Sequence, residues 1–229
     1  NNHGDITMNG SHSVGIYANK GAVITNHGTI TMNGDSSTGV YLNVNSTLDN
    51  QGTININGNN STGVMLKNGS TLLNSGTLNV SGTVTGSKDI VYGGIEYPLP
   101  SIINAGIVKV SENFETKGMD ISIKVDPATI TAPVTTADAG AVFVSNAVKF
   151  YSPSFTTQDP IGILSGFTKG THAETYKFED IFNPTTEEGG PNSGLVKVKS
   201  KSLTWEATPV VNSRGNVDIW MQKIPYDNF

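Results

Sequence analysis

Short runs of alternating hydrophobic and polar residues return at a fixed interval through the first half of the chain. The segment Asn26–Gly34 reads NHGTITMNG, and it returns as NQGTINING in Asn50–Gly58, 24 residues later. The same interval separates Gly39–Leu42 (GVYL) from Gly63–Leu66 (GVML). Alternation over four or five residues predicts short β-strands that turn one face toward a core. A repeat of this length is typical of stacked structural units, so the pattern predicts a solenoid.

Each repeat contains three such runs, separated by turn-forming residues such as Asn-Gly. No segment of ten residues has the hydrophobic spacing of a helix. We therefore predict an all-β fold, a parallel β-helix with about 24 residues per coil and about 4.8 Å between coils. The predicted interior columns are Ile6, Ile30, Ile54, Leu78 and Val108; Met8, Met32, Ile56, Val80 and Val110; Ile16, Val40 and Val64; and Ile24, Leu48, Leu72 and Ile102. A ladder of side-chain amides is predicted for Asn26, Asn50, Asn74 and Asn104.

The period is interrupted after Val80. The next Asn-x-Gly begins at Asn104, 30 residues after Asn74, so six additional residues have entered this coil. Insertions in solenoids form loops on the outside of a coil. We place the insertion within Thr83–Gly93 and expect Gly94–Tyr97 to resume the second-strand pattern.

This insertion and its flank bring two aromatic residues close to an acidic one. Tyr92, Glu96 and Tyr97 are the candidate binding residues of the sequence, since such a loop suits contact with a sugar or a protein. A plain surface loop is the alternative.

The sequence divides into two predicted regions, with β-helix coils in residues 1–125 and degenerate coils followed by a cap in residues 126–229. Aromatic residues that the coils nearly lack become frequent after residue 149, and terminal repeats of solenoids are typically atypical. Alternating residues resume in Leu195–Lys199 and around Trp205 and Trp220. Turn residues at 212–216 predict that the last two strands pair antiparallel.

Composition narrows the functional classes. The chain has 14 basic and 19 acidic residues, a net charge of −5, which gives no support for nucleic-acid binding. It has no cysteine, so disulfides and thiolate metal sites are excluded. Its first coil would expose unpaired strand edges, so we expect the chain to be a segment of a longer solenoid.

The chain offers no convincing catalytic or metal-binding constellation, and we predict neither an enzyme nor a cofactor. His3 and His27 are one period apart and should stack, but zinc usually requires three or four convergent ligands. Asp5, Asp35 and Asp49 occupy different repeat positions and should not converge. A polysaccharide-degrading β-helix enzyme is the less favoured alternative.

Several of these motifs resemble the passenger domains of type V autotransporter adhesins, especially the fusobacterial group. The resemblance is found in the coil segments Ser13–Ala18 (SVGIYA) and Gly34–Leu42 followed by Asn50–Ile54. The segment from Leu203 through Tyr226 is similar to the sequence ahead of the translocator barrel in that family. The resemblance covers the coils and the last thirty or so residues, whereas 126–194 match by position only.

The resemblance implies a right-handed β-helix at the barrel-proximal end of a passenger on the outer-membrane surface of a Gram-negative bacterium. It also implies a stalk that presents binding regions for attachment to other bacteria or host cells, and an autochaperone-like role for the C-terminal cap. The implied partners are surface proteins or glycans of those cells and the chain's own outer-membrane translocator barrel. A carbohydrate-binding module that uses the loop aromatics is the alternative function.

Overall fold

The computed structural model describes residues 1–88, 94–110, 119–124, 142–145, 161–165, 175–182, 198–200, 202–214 and 217–225. All regular structure in this part of the chain is β-strand, arranged in three sheets. It contains no helix long and apolar enough to cross a membrane.

From β1 to β12, successive strands belong to sheets 1, 2 and 3 in turn. Sheet 1 contains β1 (Asp5–Met8), β4 (Thr29–Met32), β7 (Thr53–Ile56), β10 (Thr77–Val80), β13 (Ile107–Val110), β15 (Val142–Ser145), β17 (Thr175–Phe182), β20 (Val217–Lys223) and β19 (Trp205–Val211), in that spatial order. Sheet 2 contains β2 (Val14–Ala18), β5 (Thr38–Leu42), β8 (Thr62–Lys67) and β11 (Thr83–Ser87). Sheet 3 contains β3 (Val23–Asn26), β6 (Thr47–Asn50), β9 (Thr71–Asn74), β12 (Ser101–Asn104), β14 (Asp120–Lys124), β16 (Ile161–Ser165) and β18 (Val198–Ser200). Three strands per turn and parallel pairing between turns define a β-solenoid, as the sequence predicts.

The register between coils is the one that the 24-residue period predicts. Ile30 pairs with both Ile6 and Ile54, and Leu48 pairs with Leu72. The interior columns therefore form, and from the second coil onward their members are almost completely buried. One continuous hydrophobic core runs from Ile16 to Met221.

The asparagine ladder is also present and is hydrogen-bonded in one direction. The Asn26 side-chain amide donates to the Asn50 carbonyl oxygen at 2.8 Å, Asn50 donates to Asn74 at 2.7 Å, and Asn74 donates to Asn104 at 2.8 Å. These four side chains are at most 2% exposed. Their amides are hydrogen-bonded to one another and to backbone carbonyls, so these polar groups are buried without being left unpaired.

The fourth coil differs from the prediction. The second strand of that coil is β11, where Val84 pairs with Val64, and the Gly94–Tyr97 segment does not take this place. The turn before β11 has two residues, three fewer than the turn before β8, and the connection after β11 is ten residues longer than the one after β8. The expectation failed because it assumed a constant first turn, whereas Ser81 and Gly82 make a shorter one. A side chain at Gly82 would collide with the Ser61 carbonyl oxygen, so this close approach requires glycine.

Beyond the fourth coil, the described strands extend only sheets 1 and 3. Strands β15, β16 and β18 pair parallel with the solenoid strands that precede them. Sheet 1 then changes direction, because β20 pairs antiparallel with both β17 and β19. The predicted antiparallel pairing of the last two strands is confirmed. Trp205, Ile219 and Met221 are buried and continue the solenoid core into this C-terminal pair.

Candidate functional site

Two of the three predicted binding residues lie in the part of the chain that the structure describes. Tyr92 lies outside the described residues. The Glu96 side chain is 80% exposed and forms an ion pair with Lys88, with 3.2 Å between Nζ and Oε1. Tyr97 is half-buried on the same connection. The structure thus places Glu96 and Tyr97 on one short surface segment, and their role in binding stays a prediction.

This segment is held against the corner between sheets 2 and 3. Gly69 has a φ of 73°, and a Cβ added to it would lie 3.0 Å from the Pro98 ring. Pro100 is buried, and its carbonyl oxygen accepts a hydrogen bond from the Asp120 backbone at 2.9 Å. The end of the connection is therefore anchored to two neighbouring coils.

A second surface feature lies on sheet 2 and was missed by the sequence interpretation. Tyr17 and Tyr41 are register partners on β2 and β5, and their rings stack with 5.5 Å between centroids and 15° between planes. Tyr17 is 59% exposed. Both side chains alternate with buried residues along their strands, so they point outward. The sequence contains a signal for this stack, because the two tyrosines are 24 residues apart and therefore occupy the same position in successive repeats.

A column of amide side chains runs beside this tyrosine pair. Asn19 donates a hydrogen bond from Nδ2 to the Tyr17 hydroxyl at 3.2 Å. Asn43 follows one coil later and accepts a hydrogen bond from the Asn68 side chain at 2.8 Å. Lys67 occupies the same repeat position in the third coil. We call this set, Tyr17, Tyr41, Asn19, Asn43, Lys20 and Lys67, the sheet 2 stripe.

Charge is segregated around the solenoid. In residues 1–88 the three lysines, Lys20, Lys67 and Lys88, all lie at or just beyond the C-terminal ends of sheet 2 strands. The strands of sheet 2 contain no acidic residue. Asp5 and Asp49 lie instead on sheets 1 and 3. The three lysines of this region therefore lie on the sheet 2 side, whereas Asp5 and Asp49 lie on other sheets and Asp35 lies in the turn before β5.

The histidine pair stacks as the sequence predicts. The rings of His3 and His27 have centroids 4.6 Å apart and planes 8° apart. Parallel rings direct their nitrogen lone pairs side by side, so the two lone pairs do not converge on one ion. Among the described residues, no group of three or more His, Cys, Asp or Glu side chains could hold a metal ion.

The acidic residues of the coils do not converge either. The Asp35 carboxylate accepts a hydrogen bond from the Asn59 backbone N–H at 2.8 Å, and Asp49 accepts one from Gln51 at 2.7 Å. Asp35 lies in the turn before sheet 2 and Asp49 lies on sheet 3, so each carboxylate is engaged in a local interaction. This arrangement does not supply a paired acid and base.

A buried ion pair lies at the C-terminal end of the fold. The Asp218 carboxylate is 3.2 Å from the Lys177 ammonium and accepts a hydrogen bond from Asn212 at 2.8 Å. Asp218 is 2% exposed. The Lys177 ammonium also lies 5.7 Å from the centroid of the Trp220 ring, within the range of a cation–π interaction. These contacts join β17 to β20 and to Asn212, the residue that follows β19, so the pair is structural.

Comparison with protein families gives two matches along this chain. Residues 1–93 match the model described as the BigA third pectate lyase-like domain, and residues 138–225 match the BigA beta sandwich domain. Two regions of the chain are therefore similar to domains of BigA. Neither curated proteins nor solved structures gave a significant match.

The two BigA-like regions correspond to different parts of the fold. The first spans the coils that have all three sheets. In the second, the described strands belong only to sheets 1 and 3. Among the described residues, strands of sheet 2 therefore occur only within the first matched region.

Proposed function

We propose that the chain is part of the stalk of a surface adhesin, with coils that hold binding regions away from the cell and a C-terminal cap that ends the stack. The observation that carries this proposal is the unbroken core that runs from the first coil into the antiparallel strands. Such a stack resists bending, because neighbouring coils among the first four are hydrogen-bonded to each other over three strands. The BigA-like matches at both ends support a surface adhesin-like protein.

The proposal extends to location and export. An outer-membrane position, a translocator barrel as partner and a fusobacterial-type passenger are parts of it that come from the sequence resemblance. The absence of cysteine suits a chain that crosses a membrane unfolded, since no disulfide has to form on the way. Attachment to a host-cell or bacterial surface protein or glycan is the activity that this stalk would serve.

The test uses intact source cells. Antibodies raised against the chain should label unbroken cells, and mild protease treatment of those cells should remove the label. Deletion of the gene should lower attachment to host cells or to other bacteria, and replacement of the coils by a solenoid of equal length should preserve it. Labelling only after lysis, or unchanged attachment after deletion, would reject the proposal.

A second candidate is a carbohydrate-binding module that uses the loop with Glu96 and Tyr97. The anchoring of this loop by Pro98 and Pro100 favours it, because a fixed loop loses less conformational entropy on binding. A glycan array probed with the chain and with a variant lacking residues 89–97 would test it. Equal signals from the two proteins would remove this candidate.

A further inference from the structure

We propose that the sheet 2 stripe binds a linear acidic polysaccharide, with the polymer lying along the direction in which the coils stack. The proposal rests on the proposed function in one respect, since a surface adhesin meets extracellular glycans. It differs from the loop site, because none of the stripe residues belongs to the connection after β11.

The first argument is the orientation of the tyrosine rings. Tyr17 and Tyr41 lie on adjacent paired strands and stack face to face, so each covers a face of the other. The stack therefore presents ring edges and hydroxyl groups to the solvent. Ring edges carry the positive part of the aromatic quadrupole, and phenol hydroxyls donate hydrogen bonds. This surface suits an anion with oxygen acceptors better than an apolar face.

The second argument is the composition of the neighbouring column. Asn19 and Asn43 carry amide groups that donate and accept hydrogen bonds, as the hydroxyl groups of a sugar require. Lys67 adds a positive charge in the same column, and exposed Lys20 adds another at its edge. The strands of sheet 2 carry no acidic side chain that would repel a carboxylate.

The third argument is spacing along the stack. The turn that contains Lys20 is hydrogen-bonded to the turn at Val44, which is hydrogen-bonded to the turn at Asn68 beside Lys67. The two lysines are thus two coils apart, or about 10 Å along the stack at roughly 4.8 Å per coil. A polymer with a carboxylate on each sugar or each disaccharide can meet both, and the repeated Tyr and Asn positions offer it equivalent contacts.

Nucleic acid is the less suitable polymer. Duplex DNA carries a charge every ~1.7 Å and depends on many phosphate contacts. Two lysines on a chain of net charge −5 cannot supply them. A sparsely charged glycan that is also held by amides and hydroxyls fits the stripe better.

The experiment measures binding of the full chain to immobilised hyaluronan and alginate, and to hyaluronan whose carboxylates have been reduced to neutral alcohols. We expect binding to at least one acidic polymer, loss of about tenfold in affinity on carboxyl reduction, and weaker binding at high salt. The double variant Tyr17→Ala/Tyr41→Ala should bind the acidic polymer with roughly tenfold lower affinity. The double variant Lys20→Gln/Lys67→Gln should also bind more weakly, and its binding should no longer depend on salt. The matched control is Thr29→Ala/Thr53→Ala, which changes paired outward residues of sheet 1.

Circular dichroism and the melting temperature establish that each variant is folded. The proposal is overturned if the folded chain binds neither acidic polymer, if the carboxyl-reduced polymer binds equally well, or if the tyrosine variant binds like the control. Stronger binding of duplex DNA, lost in the same variants, would also overturn it. Antibody labelling of intact cells does not depend on these residues. Absence of polysaccharide binding would therefore reject the stripe proposal alone, whereas absence of labelling would reject the adhesin proposal.

Discussion

At the scale of single residues, the buried asparagines explain how this fold tolerates a polar interior. The amides of Asn26, Asn50 and Asn74 each donate both to the next Asn and to a backbone carbonyl, as Asn50 does to Thr77 at 3.0 Å. The carbonyl oxygen of the same side chain accepts from the previous coil. A shorter or an apolar side chain would remove one hydrogen bond from the neighbour above and one from the neighbour below, and a buried group that loses its partner costs about 1–3 kcal/mol.

This argument predicts a large effect of Asn50→Ala. The substitution removes the acceptor of Asn26 and the donor to Asn74, so we expect a loss of about 2–4 kcal/mol in the free energy of unfolding. Urea denaturation measures it. The matched control is Asn57→Ala, which removes a similar amide contact at 3.0 Å to Asn33 on the exposed surface and should cost only about 0.5 kcal/mol. Equal losses from the two variants would show that the buried ladder has no special role.

A second prediction concerns glycines that recur one per coil. A Cβ added to Gly52 would collide with the Gly28 carbonyl oxygen, whereas one added to Gly4 would meet nothing within 4 Å. Gly52→Ala should therefore lower the free energy of unfolding by about 1–3 kcal/mol through forced separation of two coils. Gly4→Ala, at the same repeat position, should be close to neutral. Thermal unfolding of both variants compares them, and a stable Gly52→Ala protein would contradict the close approach of the backbones.

At this scale the sequence predicts interior positions well and surface sites poorly. The pairing of Ile30 with Ile54 follows from the 24-residue spacing of the repeat, because the same spacing separates the paired residues of the neighbouring coils. The tyrosine stack is not among the predictions, because the candidate aromatic residues of the sequence lie in the inserted loop and not in the regular strands. The role of Ser81 and Gly82 in a short turn could not be derived, because two turns of different length both preserve the alternation that follows.

At the scale of elements, the change of direction at β17 is what ends the solenoid. Strand β20 lies between β17 and β19 and pairs antiparallel with both. Pro209 lies in β19, the edge strand, where a residue without a backbone N–H weakens pairing with further strands. The antiparallel pair of β19 and β20 is predictable from turn residues between alternating segments. The place of β17 is not, because residues 126–194 lack the repeat from which register could be inferred.

The ion pair between Asp218 and Lys177 should stabilise this arrangement. Asp218→Ala removes the partner of Lys177, whose side chain is 22% exposed, and also the acceptor of Asn212. Removing one member of a buried ion pair leaves the other charge uncompensated, and this destabilises the protein less when the remaining lysine is partly exposed. We therefore expect the free energy of unfolding to fall by about 2–3 kcal/mol. Glu206→Ala on the exposed face of β19 is the control and should change stability by less than about 0.5 kcal/mol. Hydrogen exchange of the β20 amides locates the effect, and unchanged exchange would mean that the pair does not hold these strands.

At the scale of the whole molecule, the two ends of the stack differ. In the first coil Ile6, Val14 and Val23 are 41%, 50% and 70% exposed, although their counterparts in later coils are largely covered. At the other end Trp205, Ile219 and Met221 close the core. Since each coil contacts only its neighbours, stability is approximately a sum of coil and interface contributions. The closed end therefore contributes apolar burial that the open end does not.

Deletions at the two ends should then have unequal consequences. Removing residues 195–229 takes away β18, β19 and β20 and leaves β17 without its antiparallel partner, so we expect the remaining chain to lose its cooperative unfolding transition. Removing residues 1–24 takes away a coil that is already exposed, and the remaining chain should keep a cooperative transition with a lower midpoint. Denaturation followed by circular dichroism and by hydrogen exchange compares the two deletions. Tryptophan fluorescence would not serve, because both tryptophans lie in the deleted C-terminal segment. A cooperative transition in the C-terminal deletion would mean that the coils fold without the cap, and the cap would then have no part in nucleating the stack.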